Sequence, residues 1–414
     1  MNTAGKKEGK SKDIRRFCMC FLILVIYGFG GICQTGTAQI CQAAQMSPKE
    51  MKDNLTENIE SEESEKMQNE LLGEMEFEEI QQMIGQILGE NSFSVKDAVR
   101  DMINGDEPIS KETVREFLRS LFFSGIEQEK DTFFKLLLLI LIAAVLANFA
   151  DVFENGQVGD VSFYVVYLIL FMSLVENFSR LSTSLSTRLS WLAEFMKVLS
   201  PAYFMAVTAS VGASSAVVFY EGVLLMVWAI QWLLANVFLP GVNLCILLKL
   251  VNHLSKEEML SKMAELLEIA VSWGLKTLLG AAVGLQIVRN LVTPVMDSLK
   301  RSALGKTAGA IPVIGNAMNA ITELILTSAV LVRNSLGVVF LILLALAGMG
   351  PAIHYGVLSL SYRFLAALSQ PVSDKRIVGA LSTMGEGCAL LLKLLLTAEV
   401  LCMLTFLILM AGSR

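Results

Sequence analysis

The sequence predicts an all-α, polytopic membrane protein, and three observations carry that prediction. Over 414 residues, 54% are hydrophobic and only 17% charged, which is the balance of a membrane chain and not of a soluble domain. Long apolar runs recur, among them Gly222–Val251 and Gly337–Leu368. Each is punctuated by proline beside glycine, at Pro240–Gly241 and at Gly348–Pro351. An unbroken helix over the second run is about 48 Å long, against roughly 30 Å of bilayer hydrocarbon. Proline removes a backbone donor and crowds the preceding turn, so each run is expected as two helical pieces. Interrupted apolar segments at corresponding places in two halves of a membrane chain point to a translocation path. Pro240, Gly241, Gly350 and Pro351 are therefore candidate conduit residues.

The correspondence extends further. A shift of about 111 to 117 residues pairs Pro201 with Pro312, Pro240 with Pro351, and Leu254-Ser255 with Leu368-Ser369. It also pairs the L-K-x-L-L patterns at Leu275–Leu279 and Leu392–Leu396. Residues 199–288 and 289–414 are read as two membrane repeats, the second opening with a basic loop.

The amino terminus is basic (Lys6, Lys7, Lys10, Lys12, Arg15, Arg16), then apolar from Phe17 to Ile32, then small at Thr35–Ala38. This pattern describes a secretory signal peptide over residues 1–38, with Ala43 as the second cleavage choice and an uncleaved anchor as the rival reading. Both readings put the next segment outside the cytoplasm. Cysteine spacing gives no disulfide framework, since Cys245, Cys388 and Cys402 lie in apolar runs.

Residues 39–131 form an acidic extracytoplasmic segment. Ser47–Asp131 holds 22 Asp or Glu against nine Lys or Arg, a balance of −13 where the whole chain is −6. Apolar residues at helical spacing predict helices through Ile80, Ile84 and Ile87, through Val95, Val99 and Met102, and through Val114, Leu118 and Leu121. Ser94–Asp97 reads as a capping box. The aromatic residues Phe117, Phe122 and Phe123 mark the segment as a docking module for other extracytoplasmic proteins and not as a bare linker.

Residues 132–198 supply the first membrane helices, Phe133–Phe149 and Val161–Phe178, and an amphipathic stretch, Arg180–Ser200. The stripe Leu181, Leu185, Leu189, Leu192, Met196 suits a helix lying flat in the membrane interface. In all, about seven spans are expected. Within the second repeat, Pro312 and Gly315 open an apolar stretch whose Asn316, Asn319 and Glu323 share one face. Ionisable residues inside apolar runs are functional candidates: Glu221, Lys276, Glu323, Arg333, Lys393 and Glu399. Arg333 is expected at the cytoplasmic interface or paired with Glu221, and Asn334 adjoins it.

Catalytic chemistry is not readable. Two histidines, no His or Cys cluster at metal spacing, and no hydrolase or zinc signature predict a protein that is not an enzyme, with no cofactor and no metal. ALGKT (Ala303–Thr307) fails as a phosphate loop because Lys300 stands where glycine is needed.

Three short motifs remain: I-P-V-I-G at Ile311–Gly315, R-N-S-L-G-V-V at Arg333–Val339, and Gln370-Pro371. Together with the signal, acidic segment and polytopic region, they resemble the stage III sporulation protein AE family. That family usually has Lys-Asn where this chain has Arg333-Asn334, so the charge is kept. The resemblance implies a multi-pass mother-cell protein in the outer forespore membrane. It further implies membership of the AA-to-AH assembly, which meets the forespore protein Q across the intermembrane space. That assembly resembles secretion machinery and sustains late forespore gene expression. The expected partners are those membrane and intermembrane-space proteins and the lipid bilayer, with no nucleic acid, and a homo-oligomer is compatible. A stand-alone secondary transporter and a pure membrane scaffold are the alternatives. No catalytic residue carries over.

Overall fold

Helices follow one another along the chain with no strand among the described residues. The computed structural model describes residues 77–88, 94–104, 133–142, 156–211, 213–254, 260–304, 315–371 and 373–411, with scattered positions between 66 and 145. The signal peptide, Pro312 and the 305–314 connection lie outside the described residues. The elements are α1 (Glu78–Leu88), α2 (Val95–Asn104), α3 (Phe133–Ile142), α4 (Gly156–Val211), α5 (Ala213–Leu233), a π-helical segment (Leu234–Phe238), α6 (Leu239–Leu254), α7 (Ser261–Leu304), α8 (Gly315–Ser369) and α9 (Lys375–Ala411). Among the described residues, four stretches are long and apolar enough to cross a membrane. They are Leu224–His253, Ser261–Gly284, Thr327–Ser369 and Lys375–Leu407. The all-α polytopic reading is thus what the structure shows.

The two described helices of the acidic segment, α1 and α2, pack inward. Ser94 caps α2 as expected, its Oγ accepting from the Asp97 amide at 3.3 Å. Gln81 of α1 accepts from the Val95 amide at 3.0 Å, joining the two helices. Ile80, Ile84, Val95 and Val99 are buried, and both helices pack on α8, with α1 also on α4. Their apolar faces are therefore covered within the chain, which leaves the charged faces outward.

Helix α4 runs for 56 residues, fusing Val161–Phe178 with the amphipathic stretch Arg180–Ser200, which the sequence suggested were separate, and continuing past Pro201. The amphipathic stretch is its middle. Leu181, Leu185, Leu189, Leu192 and Met196 are all buried against protein, so the stripe faces the bundle and not a membrane surface. Tyr355 of α8 confirms the contact by donating to the Leu181 carbonyl at 2.9 Å. Hydroxyls along α4 bond back one turn, as Thr183 does to Ser179 and Ser200 to Met196, so they need no outside partner.

The two prolines behave differently from the expected breaks. Pro351 lies inside a continuous α8. Gly348 and Gly350 beside it carry no side chain to crowd the turn that the proline ring distorts. Pro240 is the second residue of α6 and follows the π-helical turn directly. A proline ring clashes with the carbonyl four residues earlier, here that of Asn236, and the wider π turn gives that carbonyl room. Asn236 also turns its side-chain amide onto the Trp232 carbonyl at 2.9 Å. Neither proline divides its helix into two pieces.

Helix α9 is the hub. It packs on α4, α5, α6, α7 and α8, and 67% of its apolar window is buried, against 17% for Ser261–Gly284 of α7. Close approach is built from small residues. A Cβ on Gly387 would lie 2.8 Å from Phe178 of α4 and 3.1 Å from Ile246 of α6. Both hairpins, α6–α7 and α8–α9, are antiparallel and turn at the same end of the bundle, where His253 of α6 meets Thr383 of α9. Asn252 holds the first turn by accepting from the Leu260 amide at 3.0 Å. Ser369 and Asp374 frame the second, accepting from Ser373 and Arg376 amides.

Candidate functional site

Helical spacing sets two polar pairs opposite each other at that end. Lys249 and His253 are four apart on α6, and Thr383 and Glu386 are three apart on α9, so each pair shares a face. The Lys249 Nζ donates to Glu386 Oε2 at 2.6 Å and to Glu268 Oε2 of α7 at 2.8 Å. His253 Nε2 lies 3.0 Å from Thr383 Oγ1. Gly379, one turn earlier on α9, admits the His253 ring, since a Cβ there would stand 2.6 Å from its Cε1. Tyr167 of α4 closes the side by donating to the Leu250 carbonyl at 3.2 Å.

One ammonium thus serves two carboxylates on two other helices. The Lys249 and Glu268 side chains are 17% and 11% exposed, while Glu386 is 43% exposed and reaches the surface. Two acids against one base leave an excess negative charge while His253 is neutral. Chemically the arrangement joins three helices and presents one carboxylate outward. Among the described residues no group of His, Cys, Asp and Glu is arranged to hold a metal ion. The three described cysteines, Cys245, Cys388 and Cys402, are buried and form no disulfide among the described residues.

A second polar position lies deeper in the α8–α9 contact. Glu399 is 3% exposed, and its Oε1 has no hydrogen-bond partner among the described residues. Its carboxyl lies directly over Gly348, where any Cβ would collide with it. The GMGP stretch therefore matters here as a place of close approach for a buried acid. Gly350 faces Leu121, whose side chain a Cβ would meet at 3.5 Å.

The other expected positions scatter. Arg333 is 2% exposed, and its Nη2 donates to Asn334 Oδ1 at 3.3 Å. Asn334, Glu221 and Pro240 are exposed, and Gly241 abuts Val271 of α7. Gly315 opens α8, while the side chains of Asn316, Asn319 and Glu323 lie outside the described residues. Lys249, Glu268 and Glu386 were not singled out in the sequence. Their separations, 19 and 137 residues, follow no spacing rule. The one available signal is a lone lysine inside the apolar run that ends at Val251.

The comparisons with known proteins converge. Stage III sporulation protein AE of Bacillus subtilis (strain 168) is 23% identical over 294 residues, covering 71% of this chain and 74% of the relative. No solved structure matches. The family described as stage III sporulation protein AE matches residues 93–413, which takes in α2 and every helix after it. The chain belongs to the stage III sporulation protein AE family.

Proposed function

We propose that this sporulation-family membrane protein is an integral component of a channel or export complex linking mother cell and forespore. In this reading it lies in the outer forespore membrane with residues 39–131 outside the cytoplasm. It is needed there for late forespore gene expression, and its partners are the other membrane and intermembrane-space proteins of the AA-to-AH/Q assembly. It supplies no catalysis of its own.

The observation that supports the reading best is the ionisable pair of positions on the hub helix. A chain that merely anchors partners has no need of Glu399 inside its tightest helix contact, or of Lys249 between two carboxylates. The polar face Asn316, Asn319, Glu323 at the start of α8 extends the same argument. The proposal also takes 199–288 and 289–414 as related halves. The turning of both hairpins at one end supports a parallel relation between those halves.

The test is a variant with Asn319 and Glu323 both replaced by leucine, compared with Glu399→Leu. The expected result is normal insertion and partner co-purification with loss of a forespore reporter. Full reporter activity in both variants would leave the scaffold reading in its place. The Lys249 cluster also suits a stand-alone transporter, and uptake of a defined solute by the purified chain in liposomes would favour that alternative.

A further inference from the structure

Away from these sites, a cleft of about 560 Å³ opens between α3 and α8. Phe133, Phe134 and Leu136 form one wall, and Leu360 and Phe364 belong to the other. Several of these side chains are unusually open for their size, with Phe134 at 67%, Leu360 at 70% and Phe364 at 57% exposure. From the cleft an apolar flank continues along α3 through Leu138, Leu141 and Ile142, all exposed. Among the described residues that line the cleft, the charged one is Lys130, just before the apolar helix begins.

The shape is polarised, with a cation at one end and an apolar trough running away from it along α3. Lys130 Nζ lies 3.8 Å from Glu127 Oε1, with both side chains more than 60% exposed. Such exposed pairs are weak and exchange readily for a better anion. Phe133–Ile142 is a short apolar helix; with Phe133–Phe149 read as a membrane span, Lys130 falls at headgroup depth, where anionic lipid is the abundant partner.

We propose that this cleft is a binding site for one anionic phospholipid, with its phosphate on Lys130 and an acyl chain between α3 and α8. Charge complementarity selects lipid over the other occupants of an apolar trough. A second copy of this chain or another membrane helix has no need of a cation at one end only.

The test uses the full chain purified in detergent and incubated with equimolar dioleoylphosphatidylglycerol and dioleoylphosphatidylcholine. Native mass spectrometry then counts the lipids retained. The parent is expected to keep one phosphatidylglycerol, preferred over phosphatidylcholine by about fivefold, the ratio for a single basic contact at a membrane surface. Lys130→Glu removes the preference. Lys135→Glu, an equal charge change outside the lining, keeps it. Leu360→Trp fills the cleft from an exposed position that does not threaten the fold, and it lowers retention of both lipids. Equal retention of the two lipids by the parent overturns the proposal, as does an unchanged preference in Lys130→Glu. Unchanged retention in Leu360→Trp also overturns it, as does a dimer that protects Phe134→Cys from labelling.

Discussion

Lys249 is held by two acids of unequal exposure, and the inequality decides what each substitution costs. Replacing Lys249 with methionine leaves Glu268 buried beside a second carboxylate with no base between them, and breaking a buried pair costs about 3 kcal/mol or more. Replacing Glu386 with glutamine keeps the Lys249–Glu268 pair intact. Because Glu386 is 43% exposed, that change is expected within about 1 kcal/mol. Thermal unfolding in detergent should therefore show a large drop for Lys249→Met and a small one for Glu386→Gln. Equal drops would mean that the cluster does not act as a buried pair. At Gly348 the argument is steric. Gly348→Ala drives a methyl into the Glu399 carboxyl, an overpacking worth about 1 to 3 kcal/mol. Glu399→Ala in the same chain removes the obstacle, so the double variant should unfold closer to the parent than Gly348→Ala alone. Additive losses would separate the two residues. These residues also show how far sequence reasoning reaches. Glu399 stands out because an acid in an apolar run is conspicuous, whereas its partner Gly348 was read only as part of a break. Lys249 was hidden by its long separation from both acids.

Among the elements, the apolar runs were legible because burial in lipid or protein demands the same composition. Where helices join was less so. Hydropathy falls between Val161–Phe178 and Pro201, yet α4 continues because its leucine stripe finds α8 and α9 to pack on. Proline punctuation misled for a related reason. A proline costs one helical hydrogen bond, and tertiary contacts along a 55-residue helix outweigh that loss. At Pro240 the cost appears as five π-helical residues. A π turn of this kind holds one residue more than α geometry needs. Deleting Ala235 should therefore return the segment to plain α-helix while α6 keeps its faces, with the thermal midpoint within about 4 °C of the parent. Inserting an alanine at the same place has no slack to use and should lower the midpoint further. If the deletion is the more damaging of the two, the π turn is not an accommodated insertion.

At the scale of the whole molecule, the described helices of the acidic segment, α1 and α2, are part of the bundle. Residues 62–414 form one compact unit, with α1 and α2 seated on α8. Composition could not reveal this, since a solvated acidic segment and one with a covered apolar face share the same charge count. Deleting residues 47–125 should leave the chain inserted while exposing apolar surface on α8. The expected signs are a lower unfolding temperature in detergent and faster limited proteolysis of the remaining helices. A deletion variant as stable as the parent would show that the segment adds nothing to the bundle, and would return partner docking as its main role.

Helix α9 touches α4, α5, α6, α7 and α8, and it follows all of them in the chain. The ribosome therefore delivers five helices before the one they share exists. Until residues 375–411 emerge, Lys249 has Glu268 but lacks Glu386, and the glycine surface of α8 faces lipid or a chaperone. The nascent chain is therefore threaded before its shared contacts can form, and commitment waits for residues 375–411. An interrupted synthesis would yield an inserted but open chain, which is the kind of product that membrane proteases remove.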